Sequence, residues 1–531
     1  MNTRIAKYVW SIALFGSVSF SAIAQDKVTG YVFQDNNQNG KKESREKGIA
    51  NVAVTNGIDV VLTDKKGRYE MPLGEEAIIS VIKPSNYKIL TDENKLPQFF
   101  YNYKPKGSPE LKFKGVSATG KLPKLVNFPL IPSEEEETFT ALIFGDPQVY
   151  TLEEVGYFSK GIIEEVSKIK NVPFGLSLGD LVGNNPDLFA PYIQAVKETG
   201  IPWYNLLGNH DMNFDATKDE YSDESYEAHF GPANYAFNYG KVHFIVLDDI
   251  LYPDPRDAKS YWGGFREDQF QFIANDLKMV PKDHLIVLSM HIPLSEPEDK
   301  DTFRDEDRER LFELLKDFPN TLSLSAHTHI QRQDFFTKAE GWKQEKPHHH
   351  YNVGTTCGDW YSGKLDANNV PVSTMRDGTP KGYALINFNG NTYNIDYKVA
   401  GKPLAYQMEI FAPKVVANNR NTQAGVFVNF FMGTEGDTVL YRIDGGKWKP
   451  MEYVEEFDPS YVKSILEWDT TEELMPGRRG ANPIKCEHLW KGKIPTRKLE
   501  IGEHIIEIKA TDMFGKTHTG RTSYFLEEPV K

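Results

Sequence analysis

Several side chains that can bind a metal ion or transfer a proton follow directly after short apolar stretches of the chain. The richest of these stretches is 206–211, in which Leu-Leu-Gly precedes Asn209, His210 and Asp211. Glycine permits a sharp turn, and ligands of parallel α/β sheets bind just beyond the carboxyl ends of the strands. We therefore expect these three polar side chains to lie at a functional site on the edge of a sheet.

Four further apolar stretches end in the same way. Their polar residues are Asp146, Gln148, Asp180, His291, His327 and His329. Five strand ends can converge on one edge of a sheet, so the sequence predicts a single site built from all of these residues. Oxygen and imidazole ligands without thiolate are typical of manganese, iron or zinc. Each residue alone would be better explained as a helix cap or a core side chain, so the prediction depends on the complete set.

The motifs formed by these residues resemble, in order, the five motifs of the calcineurin-like metallophosphoesterases. The segment 145–148, Gly-Asp-Pro-Gln, corresponds to that family's Asp-x-His motif, with glutamine at the histidine position. The others are Gly-Asp-Leu-Val-Gly at 179–183, Gly-Asn-His-Asp at 208–211, the single His291, and Ala-His-Thr-His at 326–329. The resemblance covers about the middle half of the chain. It implies a central α/β domain over 138–400, in which a β-sandwich is flanked by helices.

The resemblance further implies two divalent metal ions (Mn, Fe or Zn) that are bridged by Asp180. The remaining ligands would be Asp146, Gln148 and His329 for the first ion, and Asn209, His291 and His327 for the second. Glutamine departs from the family pattern, and an amide oxygen is a weaker donor than imidazole. Gln148 is therefore expected to weaken the first ion, to change its identity, or to bind it only through water.

In this scheme His210 would not bind metal but would face the phosphate and protonate the leaving oxygen. Asp211 would either orient His210 or cap the following turn. The implied reaction is hydrolysis of a phosphate ester, a monoester or a diester, by attack of a metal-bound hydroxide. The alternative is a binding protein for a cell-envelope glycan or a protein partner, built on a phosphoesterase scaffold. The loss of a metal ligand would favour that alternative.

Two other segments are candidates for substrate contacts. Residues His350, Trp360 and Tyr361 follow the last histidine motif, where the segment after the motif borders the pocket in similar proteins. Their other interpretations are a solvated metal-binding tract for the histidine and core packing for the two aromatic rings. The segment Tyr252–Phe265 is rich in proline, aspartate, glycine and aromatic residues, and we interpret it as a lid.

Both flanks of the central domain have the short β-branched stretches and turn signals of β structure. Residues 25–132 resemble the transthyretin-like β-sandwiches of exported bacterial proteins. The resemblance lies in Val-x-Gly-Tyr-Val-Phe from 28, Gly-Ile-Ala-Asn-Val-Ala-Val from 48, and Thr-Asp-x-x-Gly-x-Tyr from 63. Residues 404–531 are predicted to form a C-terminal β-rich domain. The expected fold is therefore multidomain, with the central α/β domain between two β-domains.

A polar loop in the first domain has two interpretations. Asp35, Asn37 and Asn39 alternate before Gly40, as the oxygen ligands of a calcium loop do. The glutamate that closes such a loop is not at the expected place. The loop is therefore either a calcium site or a polar hairpin loop.

The first 24 residues are typical of a secretory signal peptide. Arg4 and Lys7 precede a short apolar run, and Ala22-Ile23-Ala24 provides small residues for cleavage before Gln25. We therefore expect an exported protein, located in the periplasm, on the cell surface or in the medium. No later segment has the length and apolar character of a transmembrane helix.

The net charge limits the possible binding partners, and the two cysteines allow two oxidation states. The formal charge of −14 argues against a nucleic acid polymer as a partner, although bound metal can still create a local cationic site. The expected partner is a phosphate-ester substrate, and the oligomeric state stays open. Cys357 and Cys486 either form a disulfide in an oxidising compartment or remain two buried thiols.

Overall fold

A computed structural model describes residues 27–296 and 300–530 of the 531-residue chain. The predicted signal peptide at 1–24 lies outside the described residues. Among the helices in the described ranges, none combines the length and the apolar character that crossing a membrane requires. The strands group into three successive units, each built mainly from two β-sheets.

The first unit pairs two four-stranded sheets. Its first strand alternates between buried and exposed side chains, and Val28 and Val32 face the core. The strands are β1 (Lys27–Gln34), β2 (Ala53–Thr55), β3 (Val60–Leu62), β4 (Arg68–Pro72), β5 (Ala77–Val81), β6 (Tyr87–Ile89), β7 (Phe100–Tyr103) and β8 (Phe128–Pro132). One sheet has the order β4-β1-β8-β6, and the other has the order β3-β2-β5-β7.

The central unit contains the strands that precede the site motifs. They are β9 (Thr138–Phe144), β10 (Gly175–Ser177), β11 (Trp203–Asn205), β12 (Tyr235–Tyr239), β13 (Val242–Val246), β14 (Ile250–Leu251), β15 (Trp262–Gly263), β16 (Leu285–Ser289), β17 (Asn320–Ser325), β18 (Arg332–Phe336), β19 (His348–Asn352), β20 (Gly363–Lys364), β21 (Gly382–Asn389) and β22 (Thr392–Val399). The two main sheets have the orders β11-β10-β9-β21-β22 and β12-β13-β16-β17-β19-β18. Strands β9, β10 and β11 are parallel, as are β16, β17 and β19.

Helices cover the central sheets on the side away from the inter-sheet core. Alternate residues of β9 show the two environments, because Ile143 packs in the core between the sheets whereas Leu142 packs with the helical residues. The helices of this unit are α1 (Leu152–Phe158), which continues as a π-helical turn at Ser159–Ile163, α2 (Glu164–Val166), α3 (Phe189–Lys197), α4 (Glu224–Phe230), α5 (Glu267–Leu277) and α6 (Asp305–Leu315). This arrangement is the predicted β-sandwich flanked by helices.

The third unit pairs a four-stranded with a five-stranded sheet, in the orders β23-β25-β30-β28 and β24-β32-β31-β26-β27. Its elements are β23 (Met408–Phe411), β24 (Val415–Ala417), β25 (Gly425–Phe430), β26 (Thr438–Ile443), β27 (Lys449–Pro450), β28 (Glu452–Val454), α7 (Pro459–Asp469), β29 (Gly477–Arg478), β30 (Leu489–Lys493), β31 (Gly502–Thr511) and β32 (Thr517–Glu527). The multidomain fold class predicted from the sequence, with β-domains on both sides of a central α/β domain, is confirmed.

A segment of the third unit reaches back to the central unit. We call residues 458–485, which include α7 and β29, the C-terminal insertion. Strand β29 pairs with β20, and the Ala481 N–H donates to the Asp359 carboxylate at 2.6 Å. Arg478 donates to the carbonyl oxygen of Trp360. The insertion thereby fixes the loop that follows β19.

The two cysteines are not bonded to each other, and each lies beside a different histidine. Cys357 and Cys486 are both buried free thiols. Cys357 Sγ lies 3.7 Å from His329 Nδ1, and Cys486 Sγ lies 3.3 Å from His488 Nδ1. The structure therefore favours two buried thiols over a disulfide.

Candidate active site

The predicted site residues converge at the carboxyl ends of the central strands. One sheet contributes Asp146 and Gln148 after β9, Asp180 after β10, and Asn209 after β11. The other contributes His291 after β16, and His327 and His329 after β17. All of them except His327, which is partly buried, have less than one tenth of their surface exposed. The two sheets thus provide opposite sides of one buried polar cluster.

Asp180 lies at the centre of this cluster. Its Oδ2 atom is 3.2 Å from Gln148 Nε2 and 3.3 Å from His291 Nε2. His291 Nε2 is also 3.0 Å from Asn209 Oδ1 and 3.3 Å from His327 Nδ1. Asp180, His291 and His327 present ligand atoms that all lie within 4.8 Å of one another. Asp180 therefore contacts members of both predicted ligand sets.

Backbone carbonyl groups orient two of the imidazoles. His291 Nδ1 lies 2.8 Å from the Leu178 carbonyl oxygen, to which its N–H donates. His329 Nδ1 lies 2.7 Å from the Gly358 carbonyl oxygen and donates in the same way. The Nε2 atoms of both rings are then left to face the acidic cluster. Metal-binding histidines are commonly fixed by such a hydrogen bond from their second nitrogen.

The atoms around Asp146 fit a bound cation. Its Oδ2 atom and Gln148 Oε1 are buried and have no hydrogen-bond partner among the described residues. His329 Nε2, an acceptor in the tautomer set by Gly358, lies 3.3 Å from Asp146 Oδ2. Two facing acceptors repel each other unless a proton or a cation lies between them. Carboxylate, amide and imidazole together form a donor set for a divalent transition metal.

Burial and mutual charge shift the pKa values of these groups. Burial raises the pKa of the Asp146 carboxyl. Burial opposes protonation of His291, but the carboxylates of Asp180 and Asp146 outweigh it and raise its pKa to about 10. Burial lowers the pKa of His327 to about 3 and that of His329 to about 4. The metal-free site therefore holds a proton on His291, where a cation would otherwise balance the carboxylates.

The backbone that carries these residues adopts the left-handed conformation repeatedly. The φ angles are 27°, 36°, 47°, 69° and 53° at Asp146, Gln148, Asp180, His327 and His329. Each such conformation costs on the order of 1–3 kcal/mol for a residue with a Cβ atom. It persists only where surrounding contacts hold the loop, so the hydrogen bonds that fix these loops are part of the site.

His210 occupies the open side of the cluster. Its side chain is 27% exposed, and its Nε2 atom is 4.0 Å from Asp180 Oδ2. Its Nδ1 atom is 2.7 Å from Asn184 Oδ1, and the Asn184 N–H donates to the His210 carbonyl oxygen at 2.9 Å. Asn184 therefore orients the imidazole. The sequence analysis missed this residue, whose signal is its place directly after the Gly-Asp-Leu-Val-Gly motif.

Asp211 does not orient His210. Its carboxylate accepts hydrogen bonds from the backbone N–H groups of Gly208, Leu181 and Val182 at 2.8, 3.1 and 2.9 Å. We call this arrangement the Asp211 clasp. The predicted role of orienting His210 is therefore wrong. The structure shows the other predicted role, a cap of the following turn, and this cap also joins two site loops. Burial raises the pKa of this carboxyl, and the charge of Asp180 raises it further.

Trp360 lies beside the site, and its role as a substrate contact stays a prediction. Its ring stacks on His329 with a centroid distance of 4.2 Å and remains partly exposed. Two further aromatic rings that the sequence analysis did not select pack against site histidines. They are Tyr150 against His210 and Tyr261 against His327, each with centroids 6.1 Å apart. Tyr261 belongs to the predicted lid, whose movement stays a prediction.

The other two predicted substrate residues have their side chains in the interior. His350 is fully buried, and its two ring nitrogens are bonded to two serine hydroxyls of β17 at 2.6 and 2.8 Å. Tyr361 is 4% exposed, and its hydroxyl donates to the Pro147 carbonyl oxygen at 2.6 Å. Both predictions are corrected, because neither ring is accessible to a substrate.

The predicted calcium loop is closed by its own hydrogen bonds. The carboxylate of Asp35 accepts from the N–H groups of Asn39 and Gly40 at 3.3 and 2.8 Å. Asn37 and Asn39 both donate side-chain hydrogen bonds to Glu43. Calcium binding at Asp35, Asn37 and Asn39 stays a prediction.

Two solved structures are similar to parts of the chain. The purple acid phosphatase PPD1 from seeds of yellow lupin (Lupinus luteus) shares 14% identity with a TM-score of 0.36, covering 66% of this chain and 67% of that chain. GAP50 of Plasmodium, described as the anchor in the inner membrane complex, shares 15% identity with a TM-score of 0.31, covering 50% and 85%. A comparison with curated proteins found no match.

Three family models match successive parts of the chain. The N-terminal model of calcineurin-like phosphoesterases matches 36–117, the calcineurin-like phosphoesterase model matches 139–331, and the C-terminal model matches 350–518. The matches cover all three structural units, and the central match contains the five motifs. The chain belongs to the calcineurin-like phosphoesterase family.

Proposed function

We propose that this protein is an exported phosphoric ester hydrolase that uses two divalent metal ions. The observation that carries the proposal is the 3.3 Å approach of two acceptors, Asp146 Oδ2 and His329 Nε2, beside a central Asp180. Asp180 would contact both ions. The other ligands would be Asp146, Gln148 and His329 for one ion, and Asn209, His291 and His327 for the other.

Divalent ions at these positions would activate water and neutralise the phosphoryl oxygens. The chain itself supplies the proton transfer, because His210 is accessible at the cluster and is oriented by Asn184. Its Nε2 atom would donate a proton to the leaving oxygen. The partly exposed ring of Trp360 would contact the leaving group next to His329. The substrate is a phosphate monoester or diester.

The test combines metal analysis with a panel of phosphate monoesters and diesters. Asp180→Asn should lose both ions and its activity, because the central carboxylate contacts both ligand sets. Asp276→Asn is the matched control, since Asp276 is equally buried but pairs with His243, outside the cluster. Gln148→His should bind the first ion more tightly, because imidazole is the stronger ligand.

Several outcomes would contradict this function. Elemental analysis that finds no transition metal under any loading condition would exclude the proposed centre. Full activity of the Asp180→Asn variant would exclude the assigned bridge. A wild-type protein that holds both ions, hydrolyses no ester and binds a glycan or protein would support the binding alternative instead.

Export is the second part of the proposal, and it is supported by the signal-peptide pattern over 1–24. Protein isolated from the native host should begin at or near Gln25. Amino-terminal sequencing checks this. Mature protein that retains Met1 would contradict export through this signal.

A further inference from the structure

A continuous chain of hydrogen bonds runs between β17 and β19. We call it the hydroxyl–imidazole chain, and in order it contains Thr321, His348, Ser323, His350, Ser325 and Asn352. Its successive distances are 2.8, 2.8, 2.6, 2.8 and 3.1 Å. Parallel pairing of the strands aligns alternate residues, so that hydroxyl groups of one strand alternate with imidazoles of the other.

The Asn352 end of the hydroxyl–imidazole chain contacts the loop that carries two predicted metal ligands. The side-chain amide of Asn352 donates to Thr328 Oγ1 at 2.7 Å and to the Ile330 carbonyl oxygen at 2.9 Å. Thr328 lies between His327 and His329, whose backbones are both left-handed. Asn352 thus helps to hold this strained segment, together with Arg376, which donates to the Thr328 carbonyl oxygen at 3.1 Å.

The Ile330 carbonyl oxygen fixes the direction of donation in every hydrogen bond of the hydroxyl–imidazole chain. A carbonyl only accepts, so the amide nitrogen of Asn352 faces it and the amide oxygen faces Ser325. The Ser325 hydroxyl must then donate to Asn352 and accept from the Nε2–H of His350. By the same reasoning Ser323 donates to His350 Nδ1 and accepts from His348 Nε2–H. Each group therefore has one allowed orientation.

Both imidazoles must be neutral for this pattern, since a charged imidazole donates through both nitrogens. Burial lowers the pKa of His348 to about 3, and it lowers that of His350 well below its usual value. The chain cannot pass protons to the site, because the amide of Asn352 neither gains nor loses one. The hydroxyl–imidazole chain instead fixes the orientation of the Asn352 side chain.

We propose that the hydroxyl–imidazole chain fixes the metal-binding geometry of the 327–329 loop through Asn352. Ser323, Ser325, His348 and His350 are thereby positioning residues. The inference rests on the proposed function, because it concerns the same metal centre. It accounts for a histidine tract whose side chains do not reach the substrate.

The first test measures Zn²⁺ affinity by chelator competition in the full chain. Ser325→Ala should weaken binding about tenfold, whereas Ser325→Thr, which restores the hydroxyl, should stay within about twofold of wild type. Ser289→Ala is the matched control, because Ser289 on β16 is also fully buried but its hydroxyl has no partner among the described residues. A Ser325→Ala variant with wild-type affinity would overturn the inference.

The second test reads the tautomers directly, in wild-type protein that needs no substitution. Solid-state NMR of [15N]histidine-labelled protein should show His348 and His350 as neutral Nε2–H tautomers that do not titrate from about pH 5 to 8. A neutral Nδ1–H form or titration of either ring would overturn the assigned direction. Wild-type protein that binds no Zn²⁺ would instead refute the proposed function, and with it this inference.

Discussion

The two halves of the site are held by different means. On one sheet, the Asp211 clasp uses one buried carboxylate to bind three backbone N–H groups of two loops. On the other sheet, the neutral amide of Asn352 holds the 327–329 loop at the end of the hydroxyl–imidazole chain. Hydrogen bonds to a charged acceptor are stronger than those to a neutral one. The Asp211 carboxylate, however, lies near the carboxylate of Asp180, and the repulsion between two negative charges makes ionisation of Asp211 less favourable.

The comparison shows why the two halves differ. Oxygen ligands dominate the half next to the Asp211 clasp, where a cation would offset the extra negative charge. Three imidazoles dominate the other half, and burial keeps two of them, His327 and His329, neutral. A charged group behind these rings would attract or repel their protons. The amide of Asn352 positions the rings without adding charge, whereas the Arg376 guanidinium, which donates to the Thr328 carbonyl oxygen at 3.1 Å, further lowers the pKa of His329.

The largest effect is expected at His210, which neither support holds. His210→Ala should lower turnover by about 10²–10⁴-fold and leave metal content unchanged, because the residue would act only as a proton donor. The loss should be greater for alkyl esters than for nitrophenyl esters, whose leaving oxygen needs little protonation. Steady-state kinetics on both ester types measures the difference. Loss of metal in this variant would make His210 a ligand.

The Asp211 clasp can be broken without a change of shape. Asp211→Asn keeps the volume but replaces one acceptor oxygen with an amide group that cannot accept, so at least one backbone N–H loses its partner. We expect a loss of about 2–3 kcal/mol in the free energy of unfolding. Urea denaturation measures it. A loss below about 1 kcal/mol would mean that the clasp is weaker than its geometry indicates.

A smaller effect is expected at the support of His210. Asn184→Ala removes the acceptor of the Nδ1–H group and should lower kcat about threefold to tenfold, with KM almost unchanged. Asn184→Asp, which keeps an acceptor at this place, should restore most of the rate. Equal loss in both variants would indicate that the asparagine acts through the backbone and not through its side chain.

The last prediction concerns the pH dependence of metal binding. His291, with its pKa raised to about 10, is protonated in the metal-free site at neutral pH and must release that proton to bind a cation. Zn²⁺ affinity should therefore rise with pH, by up to about tenfold per unit below pH 10. Calorimetry in buffers of different ionisation enthalpy counts the protons released. Binding without proton release would contradict the assignment of His291.

The sequence predicts the part of the site that is encoded locally. A polar residue directly after a buried strand is visible in the chain, and so Asp146, Asp180 and His291 could be recognised without a structure. Contacts between strands are not visible in this way. The sequence does not show that His350 is an interior residue, because its pairing partner Ser323, on another strand, is set only by the register of the sheet.

The same limit applies to short polar side chains in the site loops. Asp211 offered two roles from the sequence, and only the folded loops show that three N–H groups surround its carboxylate. Asn184 gave no signal beyond its position after a motif. The fold class depended on periodicity and motif order over long stretches, and this is why it could be predicted.

Because the C-terminal insertion contacts the central unit, that unit is poorly suited to transfer into another protein without the third unit. Its strand β29 pairs with β20, and its Ala481 is bonded to Asp359, next to the ring that stacks on His329. Excision at the boundary near residue 400 would remove both of these contacts together with the third unit. Engineering of substrate range should therefore treat the C-terminal β-domain as part of the enzyme, and recombination of this family should keep both pieces from one parent.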